Sequence, residues 1–508
     1  MLRLSGRVGA GIAATAALGT PVASCASILP GAAPGVALVP SRIPLPGPFT
    51  VPLPIPPQAV PSSTGPDGEV YDLTARPATV ELLPGVHTPV WGYDGRFPGP
   101  TILARRDRPV LVRLHTELPV PTVLHLHGGI TPPESDGFPT ALVVPPGWTR
   151  QARLDPAAVV STGSREYRYP NRQQAATLWY HDHRMDFTAP QVWRGLFGAY
   201  LIHDDDEEAL DLPSGQHDIP LLVCDRSFDA DGSLLYPSID RTLTTTPGVE
   251  DAYVGGVLGD VVLVNGAPWP ELEVTARRYR FRLLNAANAR RFVFALDPPV
   301  APLVQIGSDA GLLGEPVAHR ELPVAPAERY DVVIDFTGIA PGATVVLRNT
   351  NGIGPTAQVM RFRITGRAAD QSRIPDRLVE VEPLDARRAA AQRRLDFAWE
   401  QGMWMINGAT FDPARPDATP RFGQLETWTL TSDAEHPVHI HGASFQVVSR
   451  TGGLVPTDRG WKDTVHLGPA QTVAIATRFD QHPGRYVAHC HNLEHEDMAM
   501  MATIEVLP

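Results

Sequence analysis

The last twenty residues constrain this chain most. They contain His489-Cys490-His491, then His495, then Met500. Cys490 is one of three cysteines in the chain and stands between two histidines. A thiolate, an imidazole five residues on and a thioether ten residues on make the donor set of a blue-copper electron-transfer site. The flanking histidines make sense only if a second metal centre lies beside the first. On a strand, successive side chains point to opposite faces, so His489 and His491 share one face and Cys490 takes the other. Metal held by the sulfur would then be joined to metal held by the imidazoles through one residue of backbone, a short covalent path for electrons.

Three further clusters match this tail. His125-Leu126-His127-Gly128, Trp179-Tyr180-His181-Asp182-His183 and His436-Pro437-Val438-His439-Ile440-His441 each contain His-x-His. With the tail they hold ten of the 17 histidines. On a strand each His-x-His presents two imidazoles side by side, and neutral imidazole suits copper, zinc and iron. One such pair is weak support for a metal site; four clusters together with the Cys-x4-His-x4-Met tail are strong support. The other seven histidines (His87, His115, His203, His217, His319, His466, His482) receive no role.

A length of 508 residues suggests about three domains at ~150 residues each. The 53 prolines and 44 glycines punctuate runs of Val, Leu, Ile and Thr, which predicts many short strands joined by turns. Strand signals fill three blocks, 67–205, 218–366 and 396–508, with linkers at 206–217 and 367–395. Three β-rich blocks of similar size predict an all-β, repeated sandwich architecture. The acidic run Asp204–Glu208 reads as solvated linker, and the Arg- and Ala-rich stretch in 367–395 predicts a short helix. Residues 26–66 are proline-rich and predict an extended strap along the surface. The histidine clusters fall in the first and last blocks, and the middle block has none.

A formal net charge of -12 repels phosphate backbones and argues against a nucleic-acid partner. No run of about 18 apolar residues is present, so no membrane span is predicted. Lys462 is the only lysine, which reads as genomic bias. With Cys490 taken by metal there is no disulfide framework, and Cys224 is predicted to be a buried core thiol in the strand 219–224. Residues 1–25 read as a secretory signal or a lipoprotein leader. Arg3 and Arg7 precede an Ala/Gly-rich run, and Val22-Ala23-Ser24-Cys25 resembles a bacterial lipoprotein cleavage box with a lipid anchor on Cys25. The alternative is a plain leader with a chance cysteine. The expectation is export or association with a bacterial envelope or spore, with a cytoplasmic location as the alternative. Oligomeric state is open at this level.

With these motifs in view, the chain resembles the multicopper oxidases, and most of all the bacterial branch of spore-coat laccases, bilirubin oxidases and phenoxazinone synthase. The resemblance covers nearly the whole chain after about residue 45. Besides the histidines it includes Tyr93–Thr101, Asn265-Gly266, Arg278–Asn285, Gln305–Asp309, Arg329–Phe336, Gly460–Asp463 and Leu493–Asp497. It implies three cupredoxin-like, Greek-key β-sandwich or barrel domains and four coppers. It places a mononuclear type 1 copper on His436, Cys490, His495 and, axially, Met500. It places a type 2 copper on His125 and His439, and a binuclear type 3 pair on His127, His181, His183, His441, His489 and His491. The trinuclear site would lie between the first and last domains, with the middle one as spacer and part of the substrate wall. Asp136 and Glu496 match acidic positions that this branch uses for proton delivery.

The resemblance therefore implies an oxidase that couples one-electron oxidation of a small organic substrate (phenols, aminophenols, bilirubin-like molecules) to reduction of O2 to water. One alternative is an oxidase of cuprous or ferrous ions. Such enzymes often carry methionine-rich inserts, and here there are eight methionines and no insert. A structural coat or envelope protein on the same scaffold would have lost ligands, and none is lost. A two-domain copper nitrite reductase needs fewer histidines.

Overall fold

The computed structural model describes residues 33–66, 68–148 and 158–508. The leader read at 1–25, with Cys25, lies outside them. The strands form three successive pairs of sheets. In the first pair, Ser63–Gly65, Gly68–Leu83, Val86–Tyr93, Val110–Thr116 and Ser164–Tyr169 make one sheet, and Ile102–Arg105, Leu124–His127, Ala176–Asp182 and Phe197–His203 the other. Along Val110–Thr116 the residues Val110, Val112, Leu114 and Thr116 are buried and those between are not, the period-2 pattern of a strand with one face inward. Those residues share a core with Leu126, Leu178 and Tyr200 of the facing sheet.

The last pair is built the same way. Ala391–Glu400, Met403–Ile406, Leu425–Ser432, Phe445–Arg450 and Thr472–Arg478 form one sheet. Pro416–Ala418, His436–Ile440, Thr464–Leu467, Gly484–Cys490 and Met501–Val506 form its partner. Trp428, Leu430 and Ile475 pack against Val438, Tyr486, Cys490 and Met500 in one core. The middle pair has seven and five strands. Its core continues into the first pair through Phe97, Trp179 and Val192, so these sandwiches share an apolar interior.

The proline-rich strap runs extended, as its composition leads one to expect, but it is hydrogen-bonded into the fold. Ala37–Leu38 pairs in parallel with Val257–Leu258. Further on, Leu53 N donates to Glu271 O and Ala59 N to Thr101 O, both at 2.8 Å. Cys224 is buried in the strand Asp218–Arg226, opposite Leu263.

Two local expectations are corrected. The Arg- and Ala-rich stretch gives only a single 3-10 turn, Ala386–Arg388. The strand Ala391–Glu400 begins before residue 396, because Leu395 and Phe397 alternate inward and the strand pairs in parallel with Leu425–Ser432. The acidic run Asp204–Glu208 is not simply solvated linker. Asp204 and Glu207 are buried. The Asp204 side chain caps the short helix Asp205–Glu208, the usual work of an N-terminal aspartate. Glu207 lies 2.7 Å from Arg280 and 3.1 Å from Arg282, in the middle sandwich. Burial works to raise the Glu207 carboxyl, yet the two guanidinium groups hold it well below the usual range.

Candidate metal centres

Cys490 ends the strand Gly484–Cys490, and His436 starts the neighbouring strand His436–Ile440. His495 comes from the helix Leu493–Asp497, whose first turn is capped by the Asn492 side chain. His436 Nδ1 lies 3.4 Å and His495 Nδ1 3.5 Å from Cys490 Sγ, and the two nitrogens are 3.2 Å apart. The centre of such a triangle is about 2 Å from each corner, close to metal–nitrogen bonds of ~2.0 Å and metal–sulfur bonds of ~2.3 Å. Met500 is fully buried in the same core as Cys490. Its backbone N donates to His495 O at 3.0 Å and its carbonyl accepts from Cys490 N at 3.2 Å. The other methionines of the tail differ: Met501 turns to Phe411 and Val487, and Met498 is only partly buried. The Trp404 ring stacks on His495 with centroids 3.8 Å apart.

The remaining eight clustered histidines meet between the first and last sandwiches. Strand register does much of this. His125 stands directly opposite His181, and His439 directly opposite His489. The turn after Ala176–Asp182 is held by Asp182, which is buried and accepts from Val123 N at 2.9 Å, Arg184 N at 3.1 Å and Gln191 Nε2 at 2.6 Å. His183 therefore points back beside His181. Three groups have donor atoms that all lie within 4.8 Å of one another: His125, His127 and His181; His125, His439 and His441; His183, His441 and His489. His491 completes the cluster, its ring 4.9 Å from that of His127 and 5.3 Å from that of His181.

The donor chemistry fits metal ions. His125 Nε2, His127 Nδ1, His181 Nε2, His439 Nε2 and both nitrogens of His491 are buried with no hydrogen-bond partner. Orphaned buried nitrogens are costly in protein alone. His489 Nε2 faces His441 Nε2 at 3.1 Å and His183 Nε2 at 3.3 Å, a convergence of lone pairs that a cation satisfies. The opposite ring nitrogens are tied down, as metal-ligating imidazoles usually are. His181 Nδ1 is 2.8 Å from Asp182 O and His439 Nδ1 2.9 Å from Asp463 O. Burial, followed by crowding from the other imidazoles, lowers the pKa of His125, His181, His441 and His491. His183 falls to about 4 and His489 to about 3. These rings are neutral at pH 7, the form that binds metal.

Acidic groups line this cluster. Asp136 Oδ2 accepts from His441 Nδ1 at 2.8 Å, and its carbonyl oxygen lies 2.5 Å from His125 Nδ1. Glu496 Oε2 is 3.1 Å from His489 Nδ1 and Glu496 Oε1 is 3.5 Å from His183 Nδ1. Burial raises both carboxyls above their ordinary range. Sequence reasoning gave no role to Asp463, which lies 3.1 Å from His127 Nε2. It expected the middle sandwich to be a spacer and part of the substrate wall, where Gly255 lines the cavity, but not that Arg329 and Asp309 reach toward the histidine cluster through Asp463 and Lys462. The block without histidine clusters is thus more than a spacer. The available signals are the segments Gln305–Asp309, Arg329–Phe336 and Gly460–Asp463, which carry Asp309, Arg329, Lys462 and Asp463.

A cavity of about 480 Å³ opens beside the sulfur site. His495, Asn492, Gly255, Arg291, Glu435 and His466 contribute to its walls, with strap residues 33–36. His495 Nε2 lies 3.2 Å from Gly255 O at this wall; His495 and His436 are both buried, and of the two it is His495 that lines the cavity. His466, given no role from sequence, belongs to this wall.

Three β-sandwiches, a Cys/His site and a histidine cluster between the first and third define a cupredoxin-like protein with two copper centres. Residues 74–207 and 384–508 each match a family model described as multicopper oxidase. The chain is 37% identical to a laccase of Bacillus subtilis, over 90% of this chain and 98% of that protein. It is 36% identical to a bilirubin oxidase of Albifimbria verrucaria, over 91% and 82%. A crystal structure of a laccase from Pediococcus acidilactici superposes with a TM-score of 0.81 at 32% identity, covering 92% of this chain and 96% of that one. One from Aquifex aeolicus, titled a multicopper oxidase, gives 0.76 at 31%, covering 90% and 99%. The chain belongs to the multicopper oxidase family. It is a copper-dependent oxidoreductase with O2 as electron acceptor.

Proposed function

We propose that this protein is a laccase-like oxidase of small organic donors, with its ligands divided as follows. His436, Cys490, His495 and Met500 would hold type 1 copper. His125 and His439 hold type 2 copper. His127, His181, His183, His441, His489 and His491 hold the type 3 pair. The convergence of unpaired ring nitrogens supports metal binding by these residues, and the division among the sites follows the family pattern. Bound copper supplies one-electron oxidation at the sulfur site and four-electron reduction of O2 at the histidine site.

The chain's own residues set the rest. His495 lines the cavity beside the sulfur site, so a phenol, aminophenol or bilirubin-like donor docks there. Cys490 is covalently continuous with both His489 and His491, which links the two ligand sets through one residue of backbone. Burial raises the Asp136 and Glu496 carboxyls above their ordinary range, and each reaches the ring of a histidine in the cluster. They act as proton carriers during oxygen reduction.

The observation that carries this reading is the cavity wall made by His495. The test is oxygen consumption by purified, copper-loaded protein over phenols, aminophenols, bilirubin, Cu(I) and Fe(II). Turnover confined to the metal ions would reject the organic-donor reading. Among the described residues no helix is long and apolar enough to cross a membrane. We place the protein at the envelope or outside the cell, which fractionation of the producing bacterium checks.

A further inference from the structure

We infer that Arg329, a middle-sandwich residue that hydrogen-bonds to none of the clustered histidines, is a positioning residue for the oxygen-reducing site, acting on His127 through Asp463. The inference rests on the ligand reading above. Arg329 begins the strand Arg329–Asp335 and is completely buried. Its Nη1 donates to Asp463 Oδ1 at 2.7 Å, and its Nη2 pairs with Asp463 Oδ2. This is the two-pronged grip that a guanidinium makes on a carboxylate and that lysine cannot reproduce. Its Nε donates to Thr177 O at 2.9 Å, in the first sandwich, which fixes the fork's direction.

Asp463 passes this geometry on. His127 Nε2 lies 3.1 Å from Asp463 Oδ1, and the Thr464 hydroxyl donates to the same oxygen at 2.8 Å. The carboxylate therefore keeps the His127 proton on Nε2 and turns Nδ1, buried and without a partner, into the cluster. The Asp463 carbonyl lies 2.9 Å from His439 Nδ1, so one residue orients two rings. A second ion pair braces the first. Lys462 Nζ is 3.0 Å from Asp309 Oδ2, and Arg329 N donates to Asp309 Oδ1 at 2.8 Å. The lone lysine thus pins the third sandwich to the middle one next to the residue that orients His127.

Burial would raise the Asp463 carboxyl, but Arg329 beside it holds it well below the usual range. The two-pronged pairing with Arg329 fixes the Asp463 carboxylate in place, and a fixed acceptor holds the His127 N–H better than a mobile one. The first, second and third sandwiches all contribute to this one network. Docking of the middle sandwich and orientation of His127 are therefore a single event.

The test uses the full chain, copper-loaded, as Arg329→Met/Asp463→Asn and as Arg329→Lys. The double variant removes both charges together, since an unpaired buried aspartate would threaten folding. Copper retention under a chelator, the paramagnetic spectrum of the oxygen site and the blue absorption are read on each. The expected result is a ~10–100-fold loss of copper affinity at the histidine cluster in the double variant, the usual effect of removing such a partner, with the blue absorption at wild-type strength. Arg329→Lys keeps the charge without the fork and shows a smaller loss in the same direction; it decides the matter if the double variant does not fold. A merely structural role would weaken both copper centres equally and lower the melting temperature of copper-free protein. That outcome, or wild-type retention and spectrum in Arg329→Lys, overturns the proposal. Wild-type protein that binds no copper at the histidines would instead sink the ligand reading.

Discussion

His441 and Asp136 are 305 residues apart in sequence, yet the His441 Nδ1 hydrogen donates to Asp136 Oδ2 at 2.8 Å with both side chains fully buried. The contact joins the third sandwich to the first across the histidine cluster. It leaves His441 Nε2 facing His489 and leaves Asp136 Oδ1 without a partner. One carboxyl therefore orients a ring and keeps an oxygen free to carry a proton.

Asp136→Asn keeps an acceptor for the His441 N–H and removes the acid. Oxygen turnover is expected to fall ~100-fold, the lower end of what a positioned proton carrier contributes. The blue absorption stays unchanged. Oxygen consumption against the visible spectrum measures both. Wild-type turnover would leave Asp136 with an orienting role alone.

Glu496→Gln follows the same logic at the other side of the cluster, beside His489 and His183. The blue absorption survives and reoxidation of the reduced enzyme by O2 slows. Stopped-flow mixing of reduced enzyme with oxygenated buffer reads this step alone. An unchanged rate rejects the proton role.

Cys490→Ser removes the sulfur from the triangle with His436 and His495. The blue absorption should vanish and one copper per chain should be lost, while the paramagnetic signal of the histidine cluster remains. Loss of copper from both sites would mean that the sulfur also holds the cluster together.

Glu207 tests the junction of the first and middle sandwiches. Its folded pKa lies well below the ordinary 4.5. It therefore contributes stability that is fully present above the unfolded value and is lost as pH falls through the folded one. Glu207→Gln should cost about 2 kcal/mol at pH 7, because Arg280 and Arg282 each lose one buried carboxylate while Arg280 keeps Asp331 and Arg282 keeps Asp218. The difference in melting temperature from wild type should persist in mild acid and close only in strong acid. A pH series of thermal melts checks it, and a gap that widens on acidification would contradict the sign.

Histidine spacing and period-2 burial are local properties, and both are legible in the chain. His-x-His, the Cys490 tail and the alternation along Val110–Thr116 need only strand geometry to be read. Where the reading failed, partners lay far away. The run Asp204–Glu208 looks solvated until Arg280 and Arg282 arrive from the next sandwich. The Arg/Ala-rich stretch looks helical until Leu395 and Phe397 find a core.

By itself, then, the sequence determined the donor set proposed for copper: which atoms can bind a metal, and that sulfur and imidazole groups adjoin through Cys490. These follow from side-chain chemistry and a two-residue repeat. Only the tertiary structure decided how the rings are held and which of them lines the cavity. Those depend on charges brought together across hundreds of residues, such as Arg329 on Asp463 and Asp136 on His441, and no local pattern encodes a partner that packing alone supplies.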